Sequence, residues 1–257
     1  MGGESTTRTA PRRGGTDTGP VGSRTGQRLS GLAVALGLVL FLGGFAWGAV
    51  IYRPYTVPTS SMTPTIDAGD RVLAQRVDGG EIRRGDVVVF TDKTWVTNAP
   101  VVKRVVAVGG DTVSCCTDGK LTVNGKQIDE TYLKGGPVEV KSIPTVKVPE
   151  GRLFLLGDER QGSLDSSAHL TDAAQGTVAV SAVTARVDAV VWPMKGMVER
   201  PASFETLGAL SSPGPLRTIA VLIVVGAVLV LGGGAYGPVA KLAGRRSRVR
   251  TEPVGAR

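Results

Sequence analysis

Two uninterrupted apolar runs bracket the chain. Residues 29–51 (LSGLAVALGLVLFLGGFAWGAVI) and 218–240 (TIAVLIVVGAVLVLGGGAYGPVA) contain no charged side chain. Each has about the 20 residues that a helix needs to cross a bilayer core, so both are predicted as transmembrane helices. The first also has features of a cleaved leader, since it follows a basic stretch and contains the small-x-small triplet Ala46-Trp47-Gly48. Its length exceeds the apolar region of an ordinary leader, which favours a retained anchor. A buried core helix is the alternative for the second run, but Pro213 and Pro215 precede it and an Arg cluster follows it, which favours a span.

Between the two runs the pattern changes. Short Val-rich stretches at residues 71–74, 86–90, 101–108, 121–123, 152–156 and 185–192 are separated by the pairs Gly109-Gly110, Asp118-Gly119, Asn124-Gly125 and Gly135-Gly136. Brief β-branched runs punctuated by turn dipeptides predict strands, and no long helical periodicity competes. The expected architecture is a mostly β, antiparallel domain over residues 52–198, with residues 112–150 as a small inserted subregion and one transmembrane helix at each end. Residues 199–217 (ERPASFETLGALSSPGPLR) form a Pro/Ser/Gly-bearing linker. Residues 1–28, rich in Gly, Thr, Arg and Pro, are expected to be a disordered tail.

Charge adds an orientation. The formal net charge is +8, a value that raises the question of nucleic acid. Residues 1–28 carry five Arg against Glu4 and Asp17, and residues 241–257 carry Lys241 and five Arg against Glu252. All of the excess therefore lies in the tails, and without a basic face on the folded part nucleic-acid binding is not expected. Arginine beside an apolar span resists translocation. Both tails are accordingly expected in the cytoplasm, the protein in the cell membrane in two passes, and the intervening domain on the extracytoplasmic side.

That side permits oxidation, which bears on Cys115 and Cys116, the only cysteines. A disulfide between neighbours closes a small, strained ring, so two free thiols or an intermolecular bond stay open. The spacing provides no metal site.

The stretch Pro58-Thr-Ser-Ser-Met-Thr-Pro-Thr-Ile66 lies just beyond the first span. By composition it is an ordinary turn. His169 is the only histidine, so a Ser-His-Asp triad would have to run through it. A serine can instead be activated by a lysine kept neutral by apolar surroundings. Lys103 sits in PVVKRVVAV, residues 100–108, where strand alternation turns either Lys103 or Arg104 toward a covered face. The plainer reading, in which both cations are solvated on an edge strand, stays open on these residues alone.

The order of further motifs carries a resemblance. PTSSMTPTI at 58–66, GDRVL at 69–73, RGDVVVF at 84–90, KRVVAVGGD at 103–111 and GDERQGSLDS at 157–166 are together similar to the ordered boxes of bacterial type I signal peptidases. The likeness covers about residues 52–195. It implies a serine endopeptidase with Ser61 as nucleophile and Lys103 as general base. Thr59 would complete an oxyanion hole with the Ser61 amide, and Ser163 would orient the lysine amine. It implies structural roles near the site for Arg104, Asp158, Arg160 and Asp165. Val57, Pro58, Met62, Ile66 and Val102 are implied as walls of shallow pockets for small residues. The family pattern GDNRxNSxDSR is broken by Glu159, Gly162 and Ser167, which puts the local ion pairs in doubt more than the chemistry.

The resemblance implies that the chain cleaves signal peptides from exported preproteins after a small residue. Its partners would be those signal peptides and the lipid bilayer, with no cofactor, no metal and no nucleic acid. The alternative is a membrane-anchored β-domain that binds exported proteins without cleaving them. A self-cleaving repressor of the Ser/Lys type is a weaker fit, because two spans are present and a DNA-binding module is not.

Overall fold

A computed structural model describes residues 24–96, 99–117, 119–133 and 142–249. The predicted turn at Gly135-Gly136 lies outside the described residues, as do residues 1–23 of the predicted disordered tail and residues 250–257 of the basic one.

The first apolar run is a helix, α1 (Arg24–Ile51), and the second belongs to α2 (Leu216–Val249). Both helices are longer than the charge-free runs. Arg, Gln, Leu and Lys are good helix formers, so the helical backbone runs on past the apolar stretch into the basic flanks. Both are long and apolar enough to cross a membrane. The parts of α1 and α2 up to Gly44 and from Val221 form one compact unit, and residues 45–220 form another. Within the first unit the helices run antiparallel and meet through small residues. A Cβ on Gly37 would lie 2.8 Å from the Gly226 carbonyl oxygen, and one on Gly226 would lie 2.5 Å from the Phe41 nitrogen. The Ser30 hydroxyl donates to the Gly233 carbonyl at 2.8 Å. Backbones approach this closely only where side chains are missing, as is usual between helices in lipid.

The second unit is mostly β and antiparallel throughout, as expected. Among the described residues its strands are β1 (Tyr52–Thr56), β2 (Arg71–Gln75), β3 (Val87–Phe90), β4 (Val101–Val108), β5 (Thr112–Thr117), β6 (Lys120–Val123), β7 (Lys126–Gln127), β8 (Ile143–Lys147), β9 (Arg152–Leu156), β10 (Val178–Ala179), β11 (Val183–Trp192) and β12 (Gly196–Met197). The large sheet has the order β1-β2-β11-β3-β4-β9-β10, with β12 also paired to β11. The smaller sheet has the order β7-β6-β5-β8. The Asn-Gly pair makes the hairpin between β6 and β7, with φ of 51° at Asn124 and 76° at Gly125, a conformation in which these two residues are the least strained.

Three clusters of apolar side chains fill the unit. Val87 and Val89 of β3 join Met62, Ile66 and Val187 in one, while Val88 and Phe90 join Val105 and Leu155 in another. Strand β3 therefore has both faces covered, which is why it reads VVVF without polar alternation. The third cluster joins Val106 and Phe154 of the large sheet to Val113, Leu121 and Val148 beside the small one. Cys115 and Cys116, whose redox state the sequence leaves open, are bonded to each other as a disulfide. Both cysteines pack against this third cluster.

Polar ties fix the connections. Asp111 accepts from Arg84 at 2.6 and 2.7 Å, from Asn124 at 2.7 Å and from the Val108 amide at 2.8 Å. One carboxylate thereby joins the β4–β5 turn to the β6–β7 hairpin. Arg200 bridges Asp86 and Asp188 at 3.2 and 2.7 Å, and Tyr52 donates to Asp188 at 2.8 Å.

Candidate active site

Ser61 stands in the turn that follows β1. The next residue, Met62, forms an isolated antiparallel bridge with Ile66, and both side chains are fully buried. The Ile66 amide donates to the Met62 carbonyl at 2.9 Å, and Val57 exchanges backbone hydrogen bonds with Asp70 and Gly69 at 2.9 and 2.8 Å. A loop closed at its base and plugged by two apolar side chains holds Ser61 in one place. The Ser61 carbonyl also accepts from the Glu159 amide at 3.1 Å. This bond ties the serine turn to the segment carrying Asp158, Ser163 and Asp165.

Lys103 reaches Ser61 from β4, with Nζ and Oγ 2.7 Å apart. Alternation along the strand led us to expect one of Lys103 and Arg104 under cover. The structure buries both, at 3% and 1% exposure, because both faces of β4 are covered, with Val101 and Val105 in one apolar cluster and Val102 and Val106 in the other two. Burial lowers the Lys103 pKa from the usual 10.5 to about 8, against the opposing pull of the Asp165 and Asp158 carboxylates. The amine is thus neutral in a sizeable fraction of molecules near neutral pH, as a general base must be.

Thr59 places its hydroxyl 3.3 Å from Ser61 Oγ. Ser163 is buried, and its hydroxyl has no hydrogen-bond partner among the described residues. Ser163 and the Ser61 carbonyl converge on Gly157, where a Cβ would overlap the Ser163 hydroxyl. A glycine is therefore required for the 157–166 segment to lie against the serine turn. His169 does not join this group. Its Nδ1 lies 2.8 Å from Asp172, whereas the hydrogen-bonded neighbours of Ser61 Oγ are Lys103 and Thr59.

The four charged residues expected near the site form its frame. Arg104 donates to both carboxylate oxygens of Asp158, at 2.9 and 2.7 Å, and to the Gly85 carbonyl at 2.9 Å. Burial disfavours the Arg104 charge, but the Asp158 carboxylate outweighs it and raises the pKa. Arg160 donates to the Gly157 carbonyl at 2.9 Å and to both Glu130 oxygens at 2.6 Å. Asp165 accepts from the Gly157 amide at 2.9 Å and from the Ser167 amide and hydroxyl at 3.0 and 2.7 Å. Where the family pattern has Arg, Ser167 thus supplies neutral donors. Two members of the frame were missed from sequence. Glu130 pairs with Arg160, and the Tyr132 ring carries the Arg104 guanidinium 4.3 Å from its centroid. Both are distant in sequence from their partners and sit in no motif.

A cleft of about 290 Å³ opens onto Ser61 and Lys103. Of the five expected wall residues, Val57, Pro58 and Val102 line it. Met62 and Ile66 do not, because they are fully buried in the core beneath the serine turn. The remaining walls come from Tyr55 and Thr56 at the end of β1, from Val96, Ala99, Pro100 and Val101 ahead of Lys103, and from Gly162 and Leu164. Gly162 stands where Asn is usual, and a Cβ there would meet only Glu159 at an ordinary 3.4 Å.

The sequence profile described as "Signal peptidase, peptidase S26" matches residues 29–192. The chain belongs to this family. Signal peptidase I of Mycobacterium tuberculosis is 33% identical, over 56% of this chain and 66% of its own length. The chain thus spans about two thirds of that relative. Signal peptidase I of Bacillus licheniformis is 34% identical, over 52% of this chain and 74% of its own length. The crystal structure of a signal peptidase I from Enterococcus faecalis aligns with a TM-score of 0.33 and 25% identity, covering 46% of this chain and 97% of that one. Two terminal helices apolar enough to span a bilayer suit a membrane-anchored member of the family.

Proposed function

We propose that this chain is a membrane-bound serine endopeptidase that removes signal peptides from exported preproteins, cleaving after a small residue. The observation that carries the reading is the buried, pKa-lowered Lys103 amine 2.7 Å from Ser61 Oγ at the floor of an apolar cleft.

Neutral Lys103 accepts the Ser61 proton as Oγ attacks the peptide carbonyl. The Ser61 amide and the Thr59 hydroxyl stabilise the negative oxygen of the tetrahedral intermediate. Protonated Lys103 then gives its proton to the departing amine, and the mature chain leaves. Lys103 next takes a proton from water, which attacks the acyl-serine, and returns that proton to Ser61 Oγ as the bond to the signal peptide breaks and the signal peptide leaves. Ser163, a buried hydroxyl with no partner among the described residues, is the group assigned to orient the lysine amine when the amine moves between these transfers. The arginine-flanked spans support a two-pass topology with both termini in the cytoplasm and the catalytic unit outside the cell membrane.

The test uses the full chain in lipid vesicles with a preprotein bearing a signal peptide. The wild type should yield a shortened product with a new N-terminus after a small residue, and Ser61→Ala and Lys103→Arg should yield none. Binding of the preprotein by the wild type without cleavage would instead identify a non-catalytic binding domain.

A further inference from the structure

The cleft has two apolar lips from different parts of the chain. Val96, which is 42% exposed, comes from the connection between β3 and β4, and Leu164, which is 73% exposed, comes from the 157–166 segment. Large apolar side chains this open at the mouth of a cleft are suited to contact a bound apolar chain. What keeps the first lip in position is Trp95, the residue beside Val96.

Trp95 is held from two sides. Its ring meets Phe90 edge to face, with centroids 5.3 Å apart. It also stacks on the His169 ring at 4.5 Å, with the planes only 9° apart. His169 closes the short 3-10 turn Ser166–Ala168, just beyond Leu164. Its orientation is fixed by Asp172, 2.8 Å from Nδ1, and its amide donates to the Ser166 carbonyl at 3.3 Å. The segment bearing one lip is therefore fastened to the segment bearing the other by a ring stack. The sole histidine of the chain, which has no place in the proton transfers, has this as its aromatic contact.

We propose that the His169–Trp95 stack is a clasp that positions the Val96 lip against the Leu164 lip for an extended apolar substrate, making His169 a positioning residue for substrate binding. The proposal rests on the signal-peptidase reading for the identity of that substrate. A pre-ordered lip costs nothing to arrange when substrate enters, whereas a released lip must be ordered at that moment. Loss of the clasp therefore weakens binding and leaves the Ser61–Lys103 chemistry untouched.

The test compares wild type, His169→Ala, His169→Gln and His169→Phe, all as full chains in vesicles. Gln keeps a polar partner for Asp172 without a ring, and Phe keeps a ring without the polar partner. With a peptide whose apolar core is followed by Ala-Ser-Ala and then by a short mature segment, the Ala and Gln variants should raise KM about three- to tenfold, the range that one aromatic pair is worth. Their kcat should stay within about twofold, and Phe should restore KM. The same variants combined with Ser61→Ala, titrated with the labelled peptide, should show the same change in Kd, so the clasp is tested even if the wild type cleaves nothing. Unchanged KM and Kd in both ring-less variants would overturn the proposal. So would a fall in kcat alone, or failure of Phe to restore binding in a variant that melts like the wild type. If one ring-less variant does not fold, the other decides the matter. Absence of cleavage by the wild type would count against the signal-peptidase reading and not against the clasp.

Discussion

The pH dependence of cleavage follows from the position of Lys103. With its pKa held at about 8 by burial, the neutral fraction falls about tenfold for each pH unit below that value. The kcat/KM should thus form a plateau on the alkaline side of about 8, and near pH 6 it should be about 1% of the plateau. The perturbation that tests the cause is Asp165→Asn. Asp165 is the foremost of the carboxylates that favour the charged amine, and Asn keeps one of its two acceptor positions, for the Ser167 amide, while the bond from the Gly157 amide to the other oxygen is lost. Removing the charge should move the acidic limb toward lower pH by about half a unit to one, raising relative activity near pH 6 about three- to tenfold. The assay is the initial rate of preprotein cleavage in vesicles across about pH 5.5 to 9 at sub-saturating substrate. A profile flat down to about pH 6, or a limb near the ordinary lysine value, would refute the assignment of the base. A limb that moves toward alkali in Asp165→Asn would refute the electrostatics.

The same group links stability to pH. The folded pKa of Lys103 lies below its unfolded value, so the folded state is penalised in acid, by about 3 kcal/mol at 1.4 kcal/mol per tenfold in proton affinity. Lys103→Met should therefore unfold at higher denaturant than wild type below about pH 8, by about 2 kcal/mol after the lost hydrogen bond, with the gap closing as pH rises toward 10.5. Arg104→Met strands the buried Asp158 carboxylate and should cost about 3–5 kcal/mol in the same measurement, whereas an unchanged melt would mean the pair is not buried in solution. Gly226→Leu places a side chain against the backbone of α1 and should destabilise the helix pair by about 1–3 kcal/mol. Weaker cross-linking between cysteines placed on the facing surfaces of α1 and α2 would register it, and unaltered cross-linking would count against the packing.

Much of this was legible in the residues. Strands β3, β4, β9 and β11 declared themselves through their density of Val and Leu, and the Asn124-Gly125 hairpin through its turn chemistry. Strands β1 and β8 did not. Pro54 and Pro144 interrupt them, and proline is tolerated only because each strand ends the order of its sheet. The Ser61–Lys103 pair was legible through the ordered motifs, not through residue chemistry, since burial of two adjacent cations cannot be read from alternation along one strand. Tyr132 and Glu130 complete the frame across long stretches of chain, and no local pattern marks them. Leu164 and Val96 escaped for the opposite reason, because single exposed apolar residues carry no periodicity.

Met62 and Ile66 were expected to line the substrate pocket, and in the structure they lie fully buried in the core cluster, outside the lining of the cleft. This separates the parts of the catalytic unit that can drift from those that cannot. A change at Met62 or Ile66 is felt by Ser61 whatever occupies the cleft, while a change at the open lips acts on what the cleft retains. Relatives that diverge in the preproteins they prefer are thus expected to differ at the positions of Val96 and Leu164 and to agree in the volume filled under the serine. Selection for altered cleavage preference should have most of its accessible variation at the mouth of the cleft.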